Sequence, residues 1–396
     1  MKTGFAGNSK VIKAISIVII LLMIIPFAVS CSGNTAETSP TISQSAETSV
    51  TTASQDTTAS STNETIETIT NGYAINPLTG IQDMDPINIG KKSVAIVVNN
   101  HYKSIPQRGI SQADVIYEYE TESGQTRLLA LFADITQVPE IGSLRSARVL
   151  STHLAAGTNS IFIHFGYNIR VPDEIEKYDI NSIDGNNFCQ GSGTSVNGEI
   201  TLSGNLFFWR DDTWKSTRDG IEHTAVTNGE QLLRAIEYRN ISRDGETPVM
   251  FDFVDIGSES LLSGSDCNDL KIYFSSTNDD ANFIYDTELR MYGKSQYNGT
   301  PQIDETNGAQ IYVKNVFVLF ANIKSHGDAT IDAFLEDGGS GYYASEGKII
   351  PITWTKDSPV DPIVVKDLNG DLVKVNAGKS YINIVRDTRI DQTTWS

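Results

Sequence analysis

The sequence predicts an α+β body: mixed or antiparallel β-sheet layers with a helical layer, and a strand-rich C-terminal part. Three observations carry this. Period-two and continuous apolar runs recur along the chain, whereas helical periodicity is confined to short stretches. One stretch, residues 111–157, passes from two strand signals through a loop into a helix. From residue 247 onward the apolar runs are short, rich in β-branched and aromatic residues, and bounded by turn residues. The chain has 396 residues, of which 39% are hydrophobic and 20% charged, enough for two ordinary domains and a tail.

Folded sequence begins near residue 76. Residues 93–98 (SVAIVV) read as a buried strand running into the polar tip Asn99, Asn100 and His101. A polar tip at a strand end is where many α/β sheets hold ligands, although a lone histidine is more often a structural hydrogen-bonder. Val115, Tyr117 and Tyr119 then alternate with Ile116, Glu118 and Glu120 as a strand. Ser123 and Gly124 supply a turn, and residues 126–133 are a nearly continuous apolar run, the mark of a buried strand. The pair reads as a β-hairpin, with Arg127 and the acidic row Glu118, Glu120 and Glu122 near its turn.

Pro139 and Gly142 mark a loop, and Ser143 is the expected N-cap of a helix ending at Gly157. That places Arg145 and Arg148 together in its first turns. Two arginines at the positive end of a helix dipole call for an anion opposite them. The anion is either internal, supplied by Glu118, Glu120 or Asp114, or a phosphate or carboxylate of a ligand; internal ion pairs are the commoner cause of such clusters.

Residues 160–165 (SIFIHF) form another strand, a short helix opens at Asp173, and residues 184–204 read as long loops or short hairpins. Phe207, Phe208, Trp209 and Trp214 would be a sugar- or peptide-gripping surface if exposed and plain core if buried. A helix runs from Gly229 to about Tyr238. Turn chemistry at 240–247 (NISRDGET) separates a domain at 73–240 from a second at 247–396. The second carries strands at 249–254, 270–274, 282–285, 288–292, 311–323, 331–335, 349–354 and 382–385. Asp367 to Asp371 reads as a tight hairpin, since the glutamate of a calcium loop is missing.

The N-terminus has its own logic. Lys2, Lys10 and Lys13 precede an apolar run over 15–29 that closes on Ala28-Val29-Ser30-Cys31, the pattern of a secretory signal at 1–30. The cysteine at the break resembles the lipobox of bacterial lipoproteins, in which the thiol is lipidated; an uncleaved transmembrane anchor is the alternative. Residues 31–72 are Ser- and Thr-rich, too polar to offset the entropy of ordering, and read as a disordered tether with a reach of about 35 Å. The expected location is the cell membrane, lipid-anchored through Cys31 on the extracytoplasmic side.

A net charge of −19 excludes a nucleic-acid partner, because a phosphate backbone needs a basic surface. Cys189 and Cys267 lack metal-ligand spacing and read as buried free thiols, with a disulfide as the other reading. No metal site and no cofactor are expected. GxSxG, HExxH and Walker patterns do not occur.

An ordered string of motifs runs through the body: NPLTG at 76–80, VAIVVNNH at 94–101, SQADVIYEYETESGQTRLLALF at 111–132, IGSLRSAR at 141–148, FWRD at 208–211 and HTAVTN at 223–228. GSGYYASEGKIIPITWTK at 339–356 and NAGKSYINIV at 376–385 continue it. Together they resemble the YerB-type bacterial lipoprotein family, a two-part domain of unknown function. The resemblance spans essentially everything after the tether. It implies a mixed α and β fold with layers of sheet and a helical layer, and it implies no chemistry. The family often has proline before the motif histidine, where this chain has Glu222 before His223.

The expected function is therefore a membrane-tethered protein that binds an anionic cell-envelope ligand, or an accessory to an envelope protein complex contacting it through Trp209 and Trp214. Asn99, Asn100, His101, Glu118, Glu120, Arg127, Arg145 and Arg148 are the candidate ligand-binding residues. Arginine forks suit the carboxylates and phosphates of wall polymers. The alternative is an envelope hydrolase or transferase acting on a wall polymer, with His101, Asp114, Glu118 and Glu120 as acid/base groups.

Overall fold

The computed structural model describes residues 72–396, apart from 190–205, 256–257, 259, 261–262, 278–280 and 328–329. The expected leader, Cys31, the tether up to residue 71 and most of the loops expected at 184–204 lie outside the described residues.

Its frame is a 12-stranded mixed sheet. Ten strands form the main path: β1 Val94–Asn99, β2 Val115–Glu120, β3 Thr126–Phe132, β4 Ile161–His164, β5 Ser182–Asp184, β6 Ser265–Asp266, β7 Asn315–Ser325, β8 Gly339–Ser345, β9 Lys348–Thr355 and β10 Ser380–Arg386. Their spatial order is β6-β9-β8-β7-β10-β2-β3-β1-β4-β5. Strand β10 is parallel to both of its neighbours, β7 and β2. Strands β1, β4 and β5 are likewise parallel. Residues 73–240 and 247–396 thus both feed one sheet, and 240–247 is a break in the chain but not in the sheet.

The sheet is covered on both faces, which is why its strands are apolar at nearly every position. Side chains alternate between two cores. Val94, Ile96 and Val98 join Leu128, Ala130 and Ile161 in one, while Ala95, Val97, Leu129, Leu131 and Phe162 belong to the other. The first face packs against a six-stranded sheet, through Leu270, Phe283 and Tyr292, and against the helix Gly229–Tyr238, through Leu232 and Ile236. The second face is covered by helix α1, Val149–Gly157, through Leu150, Leu154 and Ala155, and by Phe251, Val365 and Val375. Helix is sparse, with four short α-helices among the described residues; the body is strand-rich α+β.

The expected hairpin is β2–β3, antiparallel, and its turn uses positive φ at Ser123 and Gly124 (62° and 71°). All six residues of β2 are buried, so its alternation marks two covered faces and not an inside and an outside. The helix expected from Ser143 begins later, at Val149, with Arg148 as its N-cap residue. Residues 141–147 are held extended instead. Backbone bonds run from Arg108 N to Gly142 O (2.7 Å), Asn99 N to Ser143 O (2.8 Å), Leu144 N to Ala225 O (2.8 Å) and Arg145 N to Val97 O (3.1 Å). Those partners, supplied by three other segments, outweigh local helix propensity.

The helix at Gly229–Tyr238 stands where the sequence places it, capped by Asn228. The strand expected at 288–292 begins only at Met291, because the Asp286 carboxylate accepts from the backbone N–H groups of Glu288 and Leu289 and extends the turn. The strand expected at 249–254 shrinks to Asp252–Phe253. Asp367 closes its tight turn by accepting from Asn369 N and Asp371 N. Cys189 and Cys267 are buried and not joined in a disulfide.

Candidate functional site

The carboxyl ends of the parallel strands β1, β4 and β5 are Asn99, His164 and Asp184. The extended segment 141–147 and the start of α1 run beside these ends, since Arg145 N bonds Val97 O and Phe165 N bonds Arg145 O. Four arginines gather here. Arg127 lies opposite Asn99 in the β1–β3 register and is buried, donating to the Ser146 carbonyl at 2.5 Å. Arg148 forks onto Glu122, with Nε 2.7 Å from both carboxylate oxygens and Nη2 2.6 Å from Oε2. Arg210 donates to the Ile221 carbonyl and lies over the Phe165 ring at 4.5 Å.

Arg145 differs from these. Half-buried, its guanidinium has neither an ion pair nor a side-chain hydrogen bond among the described residues. Its electrostatic neighbours are Glu222, which favours its charge, and Arg148 and Arg210, which oppose it; burial lowers its pKa most. Burial, followed by the charge of Arg148, pushes Arg127 down to about 9. Three like charges crowded together raise each other's energy, which an incoming anion would relieve.

Two imidazoles adjoin the cluster. His101 and His223 stack at 5.1 Å with ring planes 18° apart. Asn99 touches both residues: its Nδ2 is 2.8 Å from His223 Nδ1, and its Oδ1 accepts from the backbone N–H of His101, whose ring Nδ1 in turn accepts from Lys103 N. Burial and then the Arg145 charge push His223 down to about 4. Burial, Lys103 and Arg145 lower His101.

The other expected site residues lie elsewhere. Glu118 points from β2 into the gap between the two sheets, away from the arginines. Its carboxylate accepts from Asn100 Nδ2 (3.0 Å), Thr126 Oγ1 (2.8 Å) and Tyr381 Oη (2.8 Å), and Lys294 Nζ stands 3.5 Å away. Asn100 is buried in that same network, accepting from Gln107 Nε2 at 2.7 Å. Glu120 is held by Arg386, Nε to Oε2 at 2.6 Å and Nη2 to Oε1 at 3.0 Å. Asp114 lines a separate cavity of about 460 Å³ with Asn76, Asp83, Asp134 and Lys379, where burial pushes its carboxyl up to about 6. The internal partner of the helix-start arginines is therefore Glu122, and it serves only Arg148.

The aromatic surface does not form either. Phe207, Phe208 and Trp214 are buried and only Trp209 of the four is half-exposed; the guanidiniums of Arg108 (4.2 Å) and Arg218 (3.5 Å) both lie over the Trp214 ring. Sequence reasoning missed Arg210, Glu222, His223 and Lys294. The first three stand in the FWRD and HTAVTN motifs or between them, the one signal that could have singled them out.

Two family profiles match this chain. They are described as Protein of unknown function (DUF3048) N-terminal domain, over residues 78–242, and C-terminal domain, over residues 270–382. The chain is 30% identical over 319 residues to a Bacillus subtilis (strain 168) protein named "Putative lipoprotein YerB", across 78% of this chain and 86% of that protein. The chain belongs to the YerB family. The crystal structure of Bacillus subtilis YerB shares its fold, with a TM-score of 0.67 and 26% identity, covering 81% of this chain and 98% of that one. Membership brings the fold and no chemistry; what the arginine cluster can do rests on its geometry.

Proposed function

We propose that this protein is a lipid-anchored, extracytoplasmic binding protein whose ligand presents an anionic group to Arg145 beside Arg127, Arg148 and Arg210. One observation carries the reading: a half-buried guanidinium with neither an ion pair nor a side-chain hydrogen bond among the described residues, crowded by like charges, beside the carboxyl end of a parallel strand. Such a group is costly unless something anionic completes it. The leader with Cys31 and the relative's name, Putative lipoprotein YerB, support the anchor. The hydrolase alternative is weaker, because Glu118 and Glu120 are each held by a cation and by hydrogen bonds in the interior.

The test is thermal unfolding of the full chain with inorganic phosphate and with glutarate as carboxylate probe. An anion present at a hundred times its dissociation constant stabilises by about 2.7 kcal/mol, a readable rise in Tm. The rise should vanish in Arg145→Gln. No rise with either anion, or an equal rise in the variant, overturns the reading.

A further inference from the structure

We infer that the anion is the phosphate of an amphiphile, a phosphomonoester carrying an apolar tail. This deepens the anion-binding reading and rests on it. Two independent features of the same place point to it.

The first is charge. Arg127, Arg145, Arg148 and Arg210 face Glu122 and Glu222, so among the described residues two of the four positive charges have no carboxylate, in a chain whose formal net charge is −19. A single carboxylate neutralises one of them, whereas a phosphomonoester near pH 7 brings close to two and offers three oxygens to planar forks. Arg127 and Arg148 already have partners and supply field; Arg145 is the fork left open to the ligand.

The second is the rim. Isolated exposed apolar side chains are ordinary on a protein surface, yet four large ones lie on the segments that carry this cluster or run beside it. Tyr102 is 55% exposed, with its ring 4.4 Å from that of His101. Ile221 is 57% exposed, while its own carbonyl holds Arg210. Tyr167 is bridged through the backbone to Ala147, between Arg145 and Arg148 in the chain. Ile169, two residues on, is 80% exposed. Cations below and apolar groups around the edge complement a head and a tail, not a wholly polar polymer.

The test is calorimetric titration of the full chain with inorganic phosphate, glycerol phosphate, and methyl, butyl and hexyl phosphate, all below any micelle-forming concentration. Each methylene buried on the rim should tighten binding by about three- to fourfold, so affinity climbs from methyl to hexyl phosphate while glycerol phosphate stays near inorganic phosphate. Ile169→Ser and Ile221→Ser should flatten that climb. Hexyl phosphate binding no tighter than inorganic phosphate, or a climb that survives in both serine variants, overturns the amphiphile. So does glycerol phosphate binding as tightly as butyl phosphate, which would point to a polyol-phosphate polymer. Those results leave the anion site standing; no binding of any phosphate refutes the anion site itself.

Discussion

Removing the charge of Glu118 should expose how much the two sheets depend on one buried ion pair. Glu118 on β2 and Lys294 on the facing sheet have fully buried side chains, and burial already lowers the lysine against the opposing pull of Glu118. In Glu118→Gln the amide can still meet Asn100, Thr126 and Tyr381, so the change isolates the charge. Leaving one partner of a buried pair uncompensated costs about 3–5 kcal/mol. A ceiling exists, because Lys294 can shed its proton: from an ordinary pKa near 10.4 this costs about 4.6 kcal/mol at pH 7.

That escape fixes the sign of the pH dependence. With Lys294 neutral in the folded variant and protonated when unfolded, the unfolded state binds more protons, so the variant gains stability as pH rises. Between pH 7 and 9 the gain should be about 2.7 kcal/mol relative to the parent. Urea denaturation at both pH values measures it. A loss below about 1 kcal/mol at pH 7, or a deficit that does not shrink by pH 9, would refute the reasoning. Glu118→Gln/Lys294→Met should recover most of the loss, since neither buried charge then remains.

Arg386→Ala leaves Glu120 buried without its fork and should cost about 2–3 kcal/mol, read by urea denaturation, while the phosphate-induced rise in Tm persists. Lys356 is buried, and its surroundings push it down to about 8; the folded pKa lies below the unfolded one, so parent stability should rise between pH 8 and 10, and Lys356→Met should lose that rise. Cys189 and Cys267 should resist a thiol reagent in the folded protein and both react in urea, because they are buried thiols outside any disulfide and burial pushes Cys267 up to about 12. A disulfide between them in non-reducing mass analysis would contradict the fold as described.

Much of this fold was legible in the sequence, because the runs at β1, β3 and β4 need nothing beyond burial on both faces to be strands. The helix from Gly229 to Tyr238 was legible for a local reason too: Asn228 caps it and its apolar stripe is intact. Ser143 misled because a residue that suits an N-cap was claimed by strand-like bonds from Asn99, Val97 and Ala225, all distant in sequence. The acidic residues of β2 misled for a related reason. A Glu in an alternating strand suggests a wet face, and the partners that help make burial tolerable include Tyr381 and Arg386, 263 and 266 positions away. The arginines drew notice by their number, but whether each had a partner is a property of side-chain packing. Sequence could not show that Glu122 would pair with Arg148 and not with Arg145.

The position of β10 bears on how the protein is made. Strand Ser380–Arg386 follows both of its neighbours in the chain, yet it lies between β7 and β2 in the middle of the sheet. Until it arrives, the earlier strands present two open edges, each a template for a foreign strand. Closing contacts across some 263 positions is also slow. Strand β10 therefore acts as a keystone: a chain truncated before residue 380 loses the link between its halves, and a nascent chain exposes both edges until residue 386 has emerged.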